Sequence, residues 1–377
     1  MGLLRILLAL SVVITHAPSR LQSVFLGGSV AVQGFFIISG FYMALVLDRK
    51  YNFKGATPLF YQQRYLRLAP LYWISVLITL AAAVLHTITI HRPSGAIIAW
   101  VSHGTHLSPF TLAALVVSQV SLLGIDILSF FRISGSPLHF SSAPDFHPEP
   151  LSSVHFMIVP QAWSISLELL FYLVAPFFLR CSTKFLALLI LASFALRLAG
   201  YKYFGLFEGG WNNRFFPFEI GLFLTGSLSY RCLGVAERFV RSHPPLCIAA
   251  AAFFFGSICF HRCIPLSDPL ADWFFLACLI VMVPILFAAT QNWKVDRWIG
   301  ELSYPLYLLH LVTIYSIFSL ITKTTGILHE CVILGSSLLV AVAAQILLES
   351  RFDALRARIF RSKTKARPLP QPLLVER

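Results

Sequence analysis

The chain has 377 residues, 57% hydrophobic and 12% charged, with a mean hydropathy of +0.77 and a net charge of +13. So much apolar surface excludes a soluble domain of this size, and repeated stretches of about 20 apolar residues read as a polytopic helical membrane protein. Basic loops and a basic tail account for the charge, so no nucleic-acid partner is expected. The seven cysteines are scattered and form no CxxC pair, which suggests neither disulfides nor a metal site.

The first apolar segment, 3–18, carries Arg5 and His16. On a helix their spacing is about three turns, so both point to one face, roughly 16 Å apart along the axis. Ionisable residues facing one way at two membrane depths are costly and usually mark a site. The segment has the length of a signal peptide, with Thr15 and Ala17 suited to cleavage, but Pro18 follows and argues for a permanent helix. In the second segment, 27–47, Gly28, Gly34, Ser39 and Gly40 are small enough to permit close helix approach. The run from Tyr61 to Trp73 leads into a third segment at 69–90. Its Arg64 and Arg67 lie three apart, on one face at the inner interface, where guanidinium forks suit phosphates.

A stretch at 110–130 carries Ser118, Gln119, Ser121, Gly124 and Asp126 and precedes a polar region, 132–160. It is expected to be re-entrant or superficial rather than spanning. His103 and His106 have no carboxylate nearby and do not suggest a metal site. The segment at 162–180 opens with Trp163, and its Ser164, Glu168 and Tyr172 form one polar stripe. Glu168 lies about 9 Å along that helix, a depth similar to that of His16, so the two are expected to pair as a base and its orienter. Further apolar segments fall at 184–200, 214–231, 246–261, 270–290, 301–321 and 327–348. In the penultimate one Ser303, Tyr307 and His310 share a face.

The expected fold is all-α: a polytopic integral membrane helical bundle of about ten transmembrane helices with both termini cytoplasmic. That topology puts 21 of the 29 Lys and Arg on the inner side and leaves 8 outside, in accord with the positive-inside rule. Residues 1–350 form the membrane domain. Residues 351–377 read as a short basic cytoplasmic tail, at the inner surface or disordered. No internal repeat is evident, which weakens an inverted-repeat transporter reading.

Taken in order, these motifs resemble the membrane acyltransferase-3 family, the O-acetylases of bacterial surface glycans and lipo-oligosaccharides. The matching residues are Arg5 and His16, Gly34 to Phe41, Arg64, Arg67 and Pro70, Trp163 to Tyr172, and Ser303 to His310. Gln33 departs from the acidic residue that many members carry before Phe35-Phe36, so no role is assigned to it. The resemblance implies a multi-pass O-acetyltransferase of the cell inner (plasma) membrane, with acyl-CoA, foremost acetyl-CoA, as co-substrate and no bound cofactor. The acceptor would be a hydroxyl of a glycan or glycolipid. His16 would be the essential catalytic histidine, helped by Glu168. Arg5, Arg64, Arg67 and Ser39 would serve the donor, and Trp163, Ser164, Tyr172 and His310 the acceptor. A positioned base near its own pKa is what a weakly nucleophilic sugar hydroxyl needs. The alternatives are a transporter or flippase for a lipid-linked glycan, with His16, Glu168 and His310 lining the path, and a structural membrane subunit.

Overall fold

The computed structural model describes residues 1–17, 19–91, 95–133, 136–141, 151–206, 209–318 and 327–364. Pro18, residues 142–150 and residues 365–377, on which parts of the sequence reading fall, lie outside the described residues. The described helices are α1 (Gly2–His16), α2 (Gly28–Arg49), α3 (Thr57–Ile90), α4 (Ile98–His103), α5 (Pro109–Ser121), α6 (Ile125–Leu128), α7 (Trp163–Phe178) and α8 (Thr183–Phe204). They continue with α9 (Phe216–Tyr230), α10 (Leu233–Ser242), α11 (Pro244–Cys259), α12 (Asp268–Thr290), α13 (Lys294–Glu301), α14 (Ser303–Phe318), α15 (Ile327–Ala344) and α16 (Ser350–Thr364). The chain is an all-α polytopic membrane protein: six helical runs are long and apolar enough to cross a bilayer. The pair α10 and α11, bent by 112° at a break before Pro244, meets the same length and hydropathy only when its two helices are taken together. Every apolar segment expected to span carries a helix, the shorter ones being α1, α9 and α14.

The segment at 110–130 does not form one helix. It breaks after Ser121, where Leu122 (φ 64°) and Gly124 (φ 85°) turn the chain through left-handed backbone. Near the start of α5, Thr111 donates to the Ser136 carbonyl (3.0 Å), and near its end Gln119 accepts from the Ile158 amide (2.8 Å). Residues 136 and 158 both belong to the connection that leads to α7, so both ends of α5 are tied to that connection. The connection from α6 to α7 carries a small antiparallel sheet, β1 (Phe131–Ile133) flanked by β2 (Leu138–Phe140) and β3 (Leu151–Ser152).

The segments read as inner from their charge gather at one end. Tyr230 donates to Asp48 (2.6 Å), Arg231 to the Cys181 carbonyl (2.6 Å) and Gln291 to Glu237 (3.3 Å). Asp296 of α13 caps α1 by accepting from the Gly2 (2.8 Å) and Leu3 (3.0 Å) amides and from the terminal ammonium. Burial pushes the Asp296 carboxyl up, but these donors outweigh it and hold it below the usual carboxylate range. At the opposite end the Leu26 amide bonds to Ile258 and the Arg262 amide to Val24.

Helix α2 is central: 89% of its apolar window is buried, against 28% for the peripheral α8. A Cβ added to Gly40 would overlap the Phe223 carbonyl of α9, and one added to Gly226 would overlap the Ile37 carbonyl of α2. The small residues of the second segment thus serve the close approach expected of them. Phe36, Phe223 and Phe171 stack beside this crossing at 4.5 and 4.4 Å, joining α2, α9 and α7. Gly40→Ala is expected to destabilise the protein by about 1–3 kcal/mol, because the opposing atoms are backbone and cannot swing aside. Thermal unfolding of the detergent-solubilised variant checks this, and an unchanged midpoint would refute the crossing.

Candidate active site

A cavity of about 480 Å³ opens in the bundle and gathers side chains from helices distant in sequence. Arg64 and Arg67 reach it from the first turns of α3. That helix is 34 residues long, or about 51 Å, and overhangs a bilayer core of about 30 Å. Arg5 enters from α1, Ser39 from α2, Glu168 and Tyr172 from α7, and Tyr304 and Tyr307 from α14. At mid-depth the Glu168 carboxylate accepts from the Ser39 hydroxyl (2.7 Å) and the Tyr172 hydroxyl (2.5 Å). Arg5 lies within Coulombic reach of Tyr42, Arg67, Glu301 and Glu168.

The arginine end of the cavity is strongly cationic. Lys50, just past α2, is pushed down to about 7 by burial and then by Arg64 and Arg356. Arg67 donates to Glu349 (3.3 Å) and Asp353 (3.5 Å).

At its other end the cavity is lined by Phe35, Ser164 and Tyr307. The Ser164 and Tyr307 hydroxyls are 2.6 Å apart, and Tyr307 also donates to the Gln161 carbonyl (2.9 Å). One turn further along α14 sits His310, buried, with its Nδ1 2.6 Å from the Tyr307 carbonyl. Its Nε2 faces Nδ1 of His16 at 3.4 Å, the ring centroids 5.0 Å apart. His16 Nδ1 also lies 2.9 Å from the Val12 carbonyl. A carbonyl only accepts, so both Nδ1 atoms carry hydrogens and His310 Nε2 is an acceptor. The hydrogen bonds therefore assign His16 the tautomer whose Nε2 lone pair is available, and the ring is exposed.

The pairing expected from depth is not the one formed. Among the described residues the ring against His16 is His310, while Glu168 is engaged by Ser39 and Tyr172 further into the cavity. Tyr172, expected with the acceptor, lies two helical turns beyond Ser164 toward the arginines, beside Glu168. Trp163 and Ser164 lie near the histidines as expected. Sequence reasoning missed Arg214, which stacks over Trp163 (5.0 Å), donates to Ser129 (2.8 Å) and is within Coulombic reach of His16 and Tyr307. It also missed the buried Arg197–Glu219 ion pair, to which Gln33 donates at 3.3 Å. The signal available for that pair was a lone Arg and a lone Glu in adjacent apolar segments. Among the described residues no cluster could hold a metal ion.

A bundle of apolar helices around an internal cavity, mostly apolar but set with arginines, a carboxylate and tyrosines and with an imidazole pair beyond its far end, defines a multi-pass membrane protein with a candidate active site. The sequence model of the acyltransferase-3 family, described as an acyltransferase domain, matches residues 1–346, and the chain belongs to that family. It is a membrane acyltransferase, as the motif resemblance implied. No curated protein and no solved structure matches it.

If His310 holds the His16 tautomer, His310→Phe should lower acyl transfer about tenfold or more. His310→Gln, whose Oε1 accepts the same hydrogen, should recover part of the loss. Equal turnover in wild type and both variants would detach His310 from the chemistry.

Proposed function

We propose that the protein transfers an acyl group, foremost acetyl, from acyl-CoA to a hydroxyl of a glycan or glycolipid, with His16 as general base. The observation that carries this reading is the single cavity running from Arg64 and Arg67 to Ser164 and Tyr307, which abut the His310–His16 pair. The donor phosphates meet arginines at one end while the extended pantetheine arm follows the cavity toward the histidines. Ser39 and Tyr172, ordered by Glu168, offer hydroxyls along that path, and Arg5 lines the same wall. Glu168 in this reading positions the donor arm rather than the His16 ring.

His16 Nε2 takes the acceptor hydroxyl proton as the oxygen attacks the thioester carbonyl. The carbon–sulfur bond then breaks, and the departing thiolate recovers the proton from the imidazolium. During the step His310 Nε2 accepts from His16 Nδ1–H, favouring the charged ring. Trp163, Ser164 and Arg214 border the acceptor side.

His16→Ala should abolish acyl transfer by the purified, nanodisc-embedded protein while leaving CoA binding and thermal stability near wild type, since a base acts in the reaction and not in assembly. Turnover within a few-fold of wild type would make His16 a packing residue. Mass spectra of surface glycans with and without the protein test the acceptor class, through the added acyl mass.

The proposed topology has ten crossings in the plasma (inner) membrane with the arginine end cytoplasmic, supported by the 21-to-8 division of Lys and Arg. Exposed native cysteines mark the two ends. In single-cysteine variants an impermeant maleimide should label Cys263 in intact cells and Cys232 only after permeabilisation. Labelling of both from outside would overturn this arrangement.

A further inference from the structure

Helix α16 lies beyond the family match, and its sequence reads as part of a basic tail. The structure instead shows a helical run continuing from α15 through a π-helical turn, Gln345–Glu349, into α16, which packs against α3. Asp353, Arg356 and Arg361 of α16 line the arginine end of the cavity beside Arg67. Pro70 of α3 has no N–H to give the Leu66 carbonyl, and Arg356 Nη1 donates to that carbonyl instead (3.4 Å). Gln63 donates to the Arg356 carbonyl (3.2 Å) and Lys363 to Gln62 (2.7 Å), so α16 is fastened independently of its carboxylates.

Two guanidinium groups on different helices, Arg67 and Arg356, converge on one oxygen of Asp353. Glu349, the other carboxylate on Arg67, is 1% exposed, whereas the Asp353 side chain is 37% exposed and lines the cavity. An exposed carboxylate bridging two arginines occupies the position that a phosphate would take with more charge and more acceptor oxygens.

We propose that α16 completes the phosphate subsite of the donor, with Arg67, Arg356 and Arg361 as its cations, and that Asp353 fills this subsite until a phosphorylated donor displaces it. The inference rests on the acyl-CoA reading for the identity of the donor, but the subsite itself is defined by phosphate. Displacement reduces the apparent donor affinity by the fraction of molecules in which Asp353 holds the arginines, so removing its charge removes the competition.

The test is equilibrium binding of CoA, pantetheine and inorganic pyrophosphate to the full chain in nanodiscs. Asp353→Asn should tighten CoA and pyrophosphate severalfold and leave pantetheine, which has no phosphate, unchanged. Arg361→Gln, at an exposed position that leaves folding intact, should weaken CoA and pyrophosphate about tenfold and again spare pantetheine. Unchanged or weaker CoA binding in folded Asp353→Asn, or unchanged binding in Arg361→Gln, would overturn the inference while leaving the donor reading in place. Wild-type protein that binds pyrophosphate with these variant effects but not CoA would overturn the donor reading alone. Binding of neither probe would overturn both.

Discussion

Gly40 and Gly226 bring α2 and α9 together backbone to backbone, and the interior is arranged around that contact. Lipid tails are as apolar as the helices they surround, so helices in a bilayer associate through close packing and polar contacts rather than through expulsion of water. A crossing without Cβ atoms gives the closest packing. It also fixes the rotation of α2, and each turn of that helix then serves a different neighbour. Gln33 faces Glu219 of α9, Phe35 packs against Tyr307 of α14 at 6.4 Å, and Ser39 donates to Glu168 of α7. One helix thereby sets the histidine-side end of the cavity, its polar middle and the buried ion pair beside it.

Arginine is used in two ways here. Arg197 is 1% exposed and tied to Glu219, with Gln33 and the Asn212 carbonyl completing the group. Removing either partner of such a pair strands a charge in a low dielectric, so the pair functions as a fixed joint between α8 and α9. Gln33 suits that joint because an amide donates to Glu219, whereas a second carboxylate would repel it. The arginines of the cavity mouth differ: they border open volume, and the anions that meet them come partly from α16.

Much of the fold was legible because apolar length and small-residue spacing act locally. The apolar segments became helices, and the polar residues of 110–130 set that segment apart, although the break after Ser121 was not foreseen. The site was half legible. Residue spacing fixes depth along a helix but not which neighbour the helix turns toward. Glu168 and His16 were therefore matched by depth, while the packing of α14 gave His16 a different partner. Arg214 sits in the connection between α8 and α9, where no periodicity reports on position. The role of α16 was hidden because Arg356 completes a vacancy created by Pro70, a relation between residues that are remote in the chain and never adjacent in pattern.

The π turn at Gln345–Glu349 has a consequence for how this chain tolerates changes in length. Such a turn closes i→i+5 bonds and accommodates one residue more than the α turn around it. It also supplies Glu349, the buried strut on Arg67. A residue lost within the turn is absorbed by tightening it to α geometry, and α16 keeps its facing. A residue lost just after it rotates α16 by about 100° about its axis and sends Arg356 away from the Leu66 carbonyl. The turn thus acts as an expansion joint for a single residue lost within it, whereas the same loss just past Glu349 turns α16 away from α3.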